Sequence, residues 1–157
     1  MVAVRILRWR AYLATVIERS ALVMHSAEQM FDLVNDVAAY PQFVNYCSSS
    51  EIIAADEGSM RARLRLQKAG LSVEFVTSNV LQRPSSIVMR LEEGPFSAFA
   101  GEWQFTALQE DACKVALNMQ FSMNKGGLSM LVAPLFESVA DRLVASFCDR
   151  AKVVYGG

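Results

Sequence analysis

From Cys113 to Met123 the chain alternates without a break. Cys113, Val115, Leu117, Met119, Phe121 and Met123 fall on one side, and Lys114, Asn118, Gln120 and Ser122 on the other. Side chains of a strand point to opposite faces in turn, so this is a strand with one buried face. Gly126-Gly127 ends it, and the period then changes. Leu128, Leu131, Leu135, Val139, Leu143, Phe147, Ala151 and Val154 recur at three- and four-residue steps, while Glu137, Asp141, Arg142, Asp149, Arg150 and Lys152 fall elsewhere. A long amphipathic helix that follows a half-buried strand must lay its apolar stripe on the sheet. Pro134 suits a first helical turn, so the main helix is predicted to start near it, after a short preceding turn, and to run to about Val154.

The preceding residues read as more of the same sheet. Met60, Ala62, Leu64 and Leu66 alternate with Arg61, Arg63, Arg65 and Gln67. Ala69-Gly70 makes a turn, and Leu71, Val73, Phe75 and Thr77 take the inner face of the returning strand. Pro84-Ser85 and Glu93-Gly94-Pro95 are further breaks, on either side of Ile87, Met89 and Leu91. Phe99, Gly101, Trp103 and Phe105 then share one face. Gly101 on an inner face either opens room or allows a sharp bend, and both readings stand.

Toward the N-terminus, residues 14–24 are extended. Ser26 stands three residues before Gln29, a capping box that starts a helix carrying Ala27, Met30, Phe31 and Val34. Asn35-Asp36 and Tyr40-Pro41 stop it. Pro41 biases Tyr40 away from the helical region, so the chain is expected to turn there into extended structure, at a corner lined by Tyr40 and Phe43.

With 157 residues the chain is most simply one domain. Its formal net charge of −1 argues against general nucleic-acid binding, though not against a local basic patch. Eight Met and nine Phe suit either a Met-rich core or a cavity that adapts to a guest. Cys47, Cys113 and Cys148 are dispersed, which favours reduced thiols over a disulfide framework or a zinc site. No apolar run reaches the length of a membrane span. Residues 1–13, with Arg5, Arg8 and Arg10, make a poor signal peptide and are expected to be a disordered extension. A basic arm at a membrane surface and a translation start near Leu13 are the other readings. The domain is then 14–157.

Catalytic readings are weak. His25, the one histidine, has no nucleophile motif pointing at it. Glu92 and Glu93 are neighbours in a strand and face opposite sides. Thr77 and Asn79 are the polar inner-face candidates, suited to orienting a head group. Arg61, Arg63 and Arg65 form an outer-face row. They suit either phosphates of RNA or pairing across strands with Glu74, Glu92 or Glu102.

Several pieces, in order, carry a resemblance: Glu18-Arg19-Ser20, Leu33-Val34-Asn35-Asp36-Val37 with Tyr40-Pro41 and Phe43, and Lys68-Ala69-Gly70. Gly94-Pro95-Phe96, Gly101 with Trp103 and Phe105, Cys113-Lys114-Val115, Phe147, Arg150-Ala151 and Val154-Tyr155-Gly156 complete it. Over residues 14–156 the chain resembles the START-like, helix-grip proteins of the coenzyme Q-binding and ribosome-association toxin family. It departs from many relatives at Asn45-Tyr46-Cys47, where they carry Pro-Trp-Cys. The resemblance implies an α+β fold, with a curved antiparallel sheet of about seven strands wrapped on a long C-terminal helix. It implies no enzyme and no catalytic cofactor, but a cavity for ubiquinone or a related isoprenoid quinone, in support of respiratory electron transport. The residues expected to line that cavity are Tyr40, Phe43, Phe75, Met89, Leu91, Phe96, Phe99, Trp103, Met119, Phe121, Leu135, Val139 and Leu143. The alternative it implies is a toxin that binds the large ribosomal subunit and blocks subunit joining, with Arg61, Arg63 and Arg65 on RNA and an antitoxin as partner. Either role is expected in the cytoplasm, with transient contact at the inner membrane.

Overall fold

Among the described residues eight antiparallel strands form one sheet, and one long helix lies across it. The computed structural model describes the backbone of residues 2–9 and 12–157, and side chains from Ala14 onward. In chain order the elements are β1 (Val2–Trp9), β2 (Tyr12–Val23), α1 (Ala27–Asn35), a 3₁₀ helix (Val37–Gln42), β3 (Cys47–Ala55), β4 (Ser59–Lys68), β5 (Leu71–Gln82), β6 (Ser86–Glu93), β7 (Phe96–Gln109), β8 (Ala112–Met123) and α2 (Gly127–Tyr155). The strand order is β1-β2-β8-β7-β6-β5-β4-β3. From β3 to β8 each strand pairs with the next in sequence. The segment holding α1 and the 3₁₀ helix carries the chain from β2 to the far edge.

Local chemistry sets these boundaries. Ser26 accepts from the Gln29 amide and Gln29 returns a bond to the Ser26 amide, so the predicted capping box starts α1. Between β4 and β5 the chain reverses through Ala69 and Gly70, both at positive φ. A two-residue hairpin turn of that hand requires this, and Gly adopts it without strain. Register shifts in β3, near the end of β6 where it pairs with Val76 and Thr77 of β5, and near both ends of β7 bend the sheet, as an extra residue in one strand does. The bent sheet encloses α2, which buries Val132, Leu135, Phe136, Val139, Ala140, Val144, Phe147 and Ala151.

This is the expected helix-grip arrangement, with four corrections. First, residues 2–9 of the expected extension form β1, paired with β2 from Val2↔Arg19 to Trp9↔Tyr12. The backbone of β1 supplies the hydrogen bonds that an edge at β2 would leave open. Met1, Arg10 and Ala11 lie outside the described residues. Second, Tyr40 and Pro41 sit inside the 3₁₀ helix, and extended structure resumes only at Cys47. Third, α2 begins at Gly127, so Pro134 is inside it, exposed, rather than in its first turn. Fourth, the apolar stripe of α2 is not buried at its ends: Leu128 is 70% and Leu131 59% exposed, and Val154 is exposed as well.

A sheet-and-helix cavity as candidate functional site

Two aromatic clusters tie α2 to the sheet. Phe136 packs ring to ring on Phe75, Phe96 and Phe121, at centroid distances of 5.5, 4.8 and 4.8 Å. Phe147 packs on Tyr40, Phe43 and Trp103 at 5.3, 5.2 and 5.3 Å. The two phenylalanines stand about 16 Å apart along the helix, at 1.5 Å per residue. Between them the helix and sheet enclose a cavity of about 80 Å³. Its walls are Val37, Tyr40, Val44 and Cys47 from the corner, Ala62, Leu64 and Leu66 from β4, and Phe75, Thr77 and Asn79 from β5. Met89, Phe99, Trp103 and Met119 come from β6 to β8, and Phe136, Val139, Ala140, Leu143 and Phe147 from α2.

Eight of the thirteen expected lining residues are therefore at the cavity: Tyr40, Phe75, Met89, Phe99, Trp103, Met119, Val139 and Leu143. Phe43, Leu91, Phe96, Phe121 and Leu135 are not. Phe43 is turned onto Phe147 and under the Arg150 guanidinium, 5.0 Å from its ring centroid. Phe96 and Phe121 are filled in by Phe136, Leu135 is core, and Leu91 packs at the core margin beside Gly94. The sequence reading missed the corner residues Val37, Val44 and Cys47. It also missed the β4 side of the cavity and Phe136, Ala140 and Phe147. The helical signal was present, since Val132, Phe136, Ala140 and Val144 recur every four residues.

The size of the cavity is set on one transverse row. Met60, Asn79, Met89, Gly101, Met119 and Ile17 stand opposite one another across β4, β5, β6, β7, β8 and β2. A Cβ added at Gly101 would lie 2.7 Å from Met89 Cε, so the room that Gly101 opens is taken by the end of Met89. Pockets for small organic ligands span about 300–1,000 Å³, several times the volume found here. A guest of that size needs Met89, Met119 or Leu143 to move, and Met is the side chain best able to do so. On the other side of the same strands, Val88, Arg90, Ala100, Glu102, Asn118 and Gln120 border a larger and more open hollow of about 370 Å³. Its charged rim makes it unlike an apolar guest site.

Polar groups around the cavity are few. The Tyr40 hydroxyl donates to the Val34 carbonyl. Burial, then the nearby Cys47 and Asp36, push its pKa up, so it stays neutral. Asn79 Oδ1 is buried and has no hydrogen-bond partner among the described residues. Burial also raises the thiols of Cys47 and Cys148, and raises Cys113 to about 11, so none is a thiolate at neutral pH. All three cysteines are free. His25 meets the end of α2, with Nε2 3.1 Å from the Gly156 carbonyl oxygen and its ring 5.8 Å from that of Tyr155. Among the described residues no cluster of His, Cys, Asp and Glu is placed to hold a metal.

On the outer face every arginine of the row is paired. Arg61 binds Glu92 at 2.7 Å, Arg63 binds Glu51 and lies 3.5 Å from Glu74, and Arg65 binds Glu74 at 2.7 Å. The row is a cross-strand ladder of opposite charges, not a free cationic stripe. Another ion pair joins sheet to helix: Arg19 on β2 donates to Asp141 on α2, while its buried Nε and Nη1 have no partner among the described residues.

Residues 23–148 match the family described as "Polyketide cyclase / dehydrase and lipid transport". The chain is 45% identical to the ribosome association toxin RatA of Pseudomonas aeruginosa over 92% of its own length and 100% of that protein. A more distant similarity, 25% identity over 87% of this chain and 58% of the relative, links it to a mitochondrial coenzyme Q-binding protein COQ10 homolog B from Xenopus laevis. Among solved structures, the ZhuI aromatase/cyclase of Streptomyces sp. R1128 superposes with a TM-score of 0.75 at 20% identity, covering 92% of this chain and 99% of that one, which shows a common fold. From the matched residues and the full-length identity, the chain belongs to the polyketide cyclase / dehydrase and lipid transport family, among its relatives of the ribosome association toxin type.

Proposed function

We propose that this protein is a ribosome association toxin that binds the large ribosomal subunit and keeps the subunits apart, without catalysing a reaction. The observation that carries the reading is the 45% identity extending over the whole of a relative of that name. The quinone carrier expected from the sequence as the main role has weaker support, a 25% identity to part of a longer protein. A binding role also suits the chemistry of the site. The thiols are protonated, and His25 is engaged with the end of α2 rather than with an acid and a nucleophile. Light scattering of purified subunits brought together by magnesium tests the proposal. Added in excess over large subunits, the protein should suppress the scattering rise. Full joining in its presence would refute it.

A second reading is favoured by one feature, the apolar cavity under α2. It is a site for a hydrophobic guest, of which an isoprenoid quinone is one example. Burial of each five-carbon unit is worth roughly 3–4 kcal/mol at about 0.8 per carbon, against the work of displacing Met89 and its neighbours. The two readings are compatible, because one concerns the outer surface and the other the interior.

A further inference from the structure

Asn79 breaks the logic of its surroundings. It is 7% exposed, on the interior strand β5, with Met60 and Met89 opposite it on the neighbouring strands. Asn79 lines the cavity, and its buried Oδ1 has no hydrogen-bond partner among the described residues. A buried amide oxygen left unpaired costs stability, and a leucine of similar size would remove the cost. Groups of this kind are retained where something else satisfies them in the working state.

The cavity restricts what that group can be. Among the described residues no lysine, arginine or histidine lines it, so a carboxylate or phosphate head would be a buried, uncompensated charge. The free Oδ1 requires a donor, which an ether or a hydrocarbon lacks. A hydroxyl supplies the donor and can also accept from the amide nitrogen. The rest of the lining is apolar apart from Thr77 and the committed Tyr40 hydroxyl. Beside Asn79 the row continues through Met89 and the Gly101 notch, where a flexible side chain can give way to an alkyl or isoprenoid chain.

We propose that the cavity takes a neutral amphiphile with a hydroxyl head, bound with the hydroxyl on Asn79 and its chain in the space now held by Met89. This rests on the second reading above, that the cavity takes a hydrophobic guest, and adds the class of guest and its orientation. Two isomers separate the claims: 1-octanol, which donates, and heptyl methyl ether, which only accepts. Their affinities for the full chain are measured by calorimetry and set against their partition between water and hexadecane. The wild-type protein should favour octanol about tenfold beyond what partition accounts for, the worth of one well-made buried hydrogen bond. In Asn79→Leu that excess should vanish while the ether still binds, and Asn79→Ala gives the same comparison without risk of overfilling. An octanol preference no greater than partition, or one unchanged by either substitution, would overturn the assignment to Asn79 and leave the guest site standing. If neither isomer binds, both the assignment and the guest site fail.

Discussion

Replacing Phe136 with alanine tests whether α2 is held as described. The ring is 4% exposed and meets Phe75, Phe96 and Phe121 edge to face, with Phe99 at 6.2 Å. Buried Phe→Ala substitutions cost about 3–5 kcal/mol, and each aromatic pair adds about 0.5–1.5 beyond area. The loss should fall at the upper end, about 4–5 kcal/mol, because four rings lose a partner at once. In a domain of this size each kcal/mol lowers Tm by about 2–4 °C, so the drop should be about 8–20 °C. The midpoint of urea unfolding should fall with little change in its slope. Phe136 also walls the cavity, so the variant has more room for a guest. Saturating 1-octanol should therefore recover more stability in Phe136→Ala than in wild type, since a ligand stabilises by RT ln(1 + [L]/Kd). A loss below about 1 kcal/mol would refute the placement of α2 on this cluster.

Other expectations are equally direct. Asp141→Asn leaves the Arg19 guanidinium, 6% exposed, without its carboxylate and should cost about 2–4 kcal/mol. Arg19→Met should cost less than about 1, because Asp141 is 34% exposed and can reach water. Equal losses in chemical denaturation would contradict the asymmetry. Burial holds the Cys113 thiol up to about 11, against roughly 8.5 in an unfolded chain, so the folded state keeps a proton that the unfolded state releases. Its contribution is full below pH ~8.5 and is lost as pH rises toward 11, and Cys113→Ala should flatten the decline in stability over that window. Changing Arg61, Arg63 and Arg65 together to Gln should leave ribosome association intact, since each charge is already matched by Glu92, Glu51 or Glu74. A loss that tracks salt would return the row to RNA contact.

Legibility in the sequence followed the strength of local signals. The alternation of β8, the capping box of α1 and the Ala69-Gly70 turn each depend on a few adjacent residues, and each is where the sequence placed it. The start of α2 was misplaced because proline is favoured in a first turn, whereas here it sits inside the helix on an exposed face, where the carbonyl it leaves unbonded can meet water. β1 was missed because its reason for being a strand is the open edge of β2, a distant feature. The inner face of the sheet was readable residue by residue, including Thr77 and Asn79. Which of its residues reach the cavity was not, because that depends on where α2 sets Phe136 and Phe147 and on Met89 filling the notch at Gly101. The arginine row was visible, whereas its full set of partners needed the register that brings Glu51 opposite Arg63.

The measurement closest to the central claim is sedimentation of the intact protein with ribosomes through sucrose gradients, at a series of salt concentrations. The protein is expected to travel with the large subunit, joined ribosomes to decline as it is added, and free subunits to rise in step. Protein remaining at the top of the gradient at low salt, with joined ribosomes unchanged, would contradict that claim.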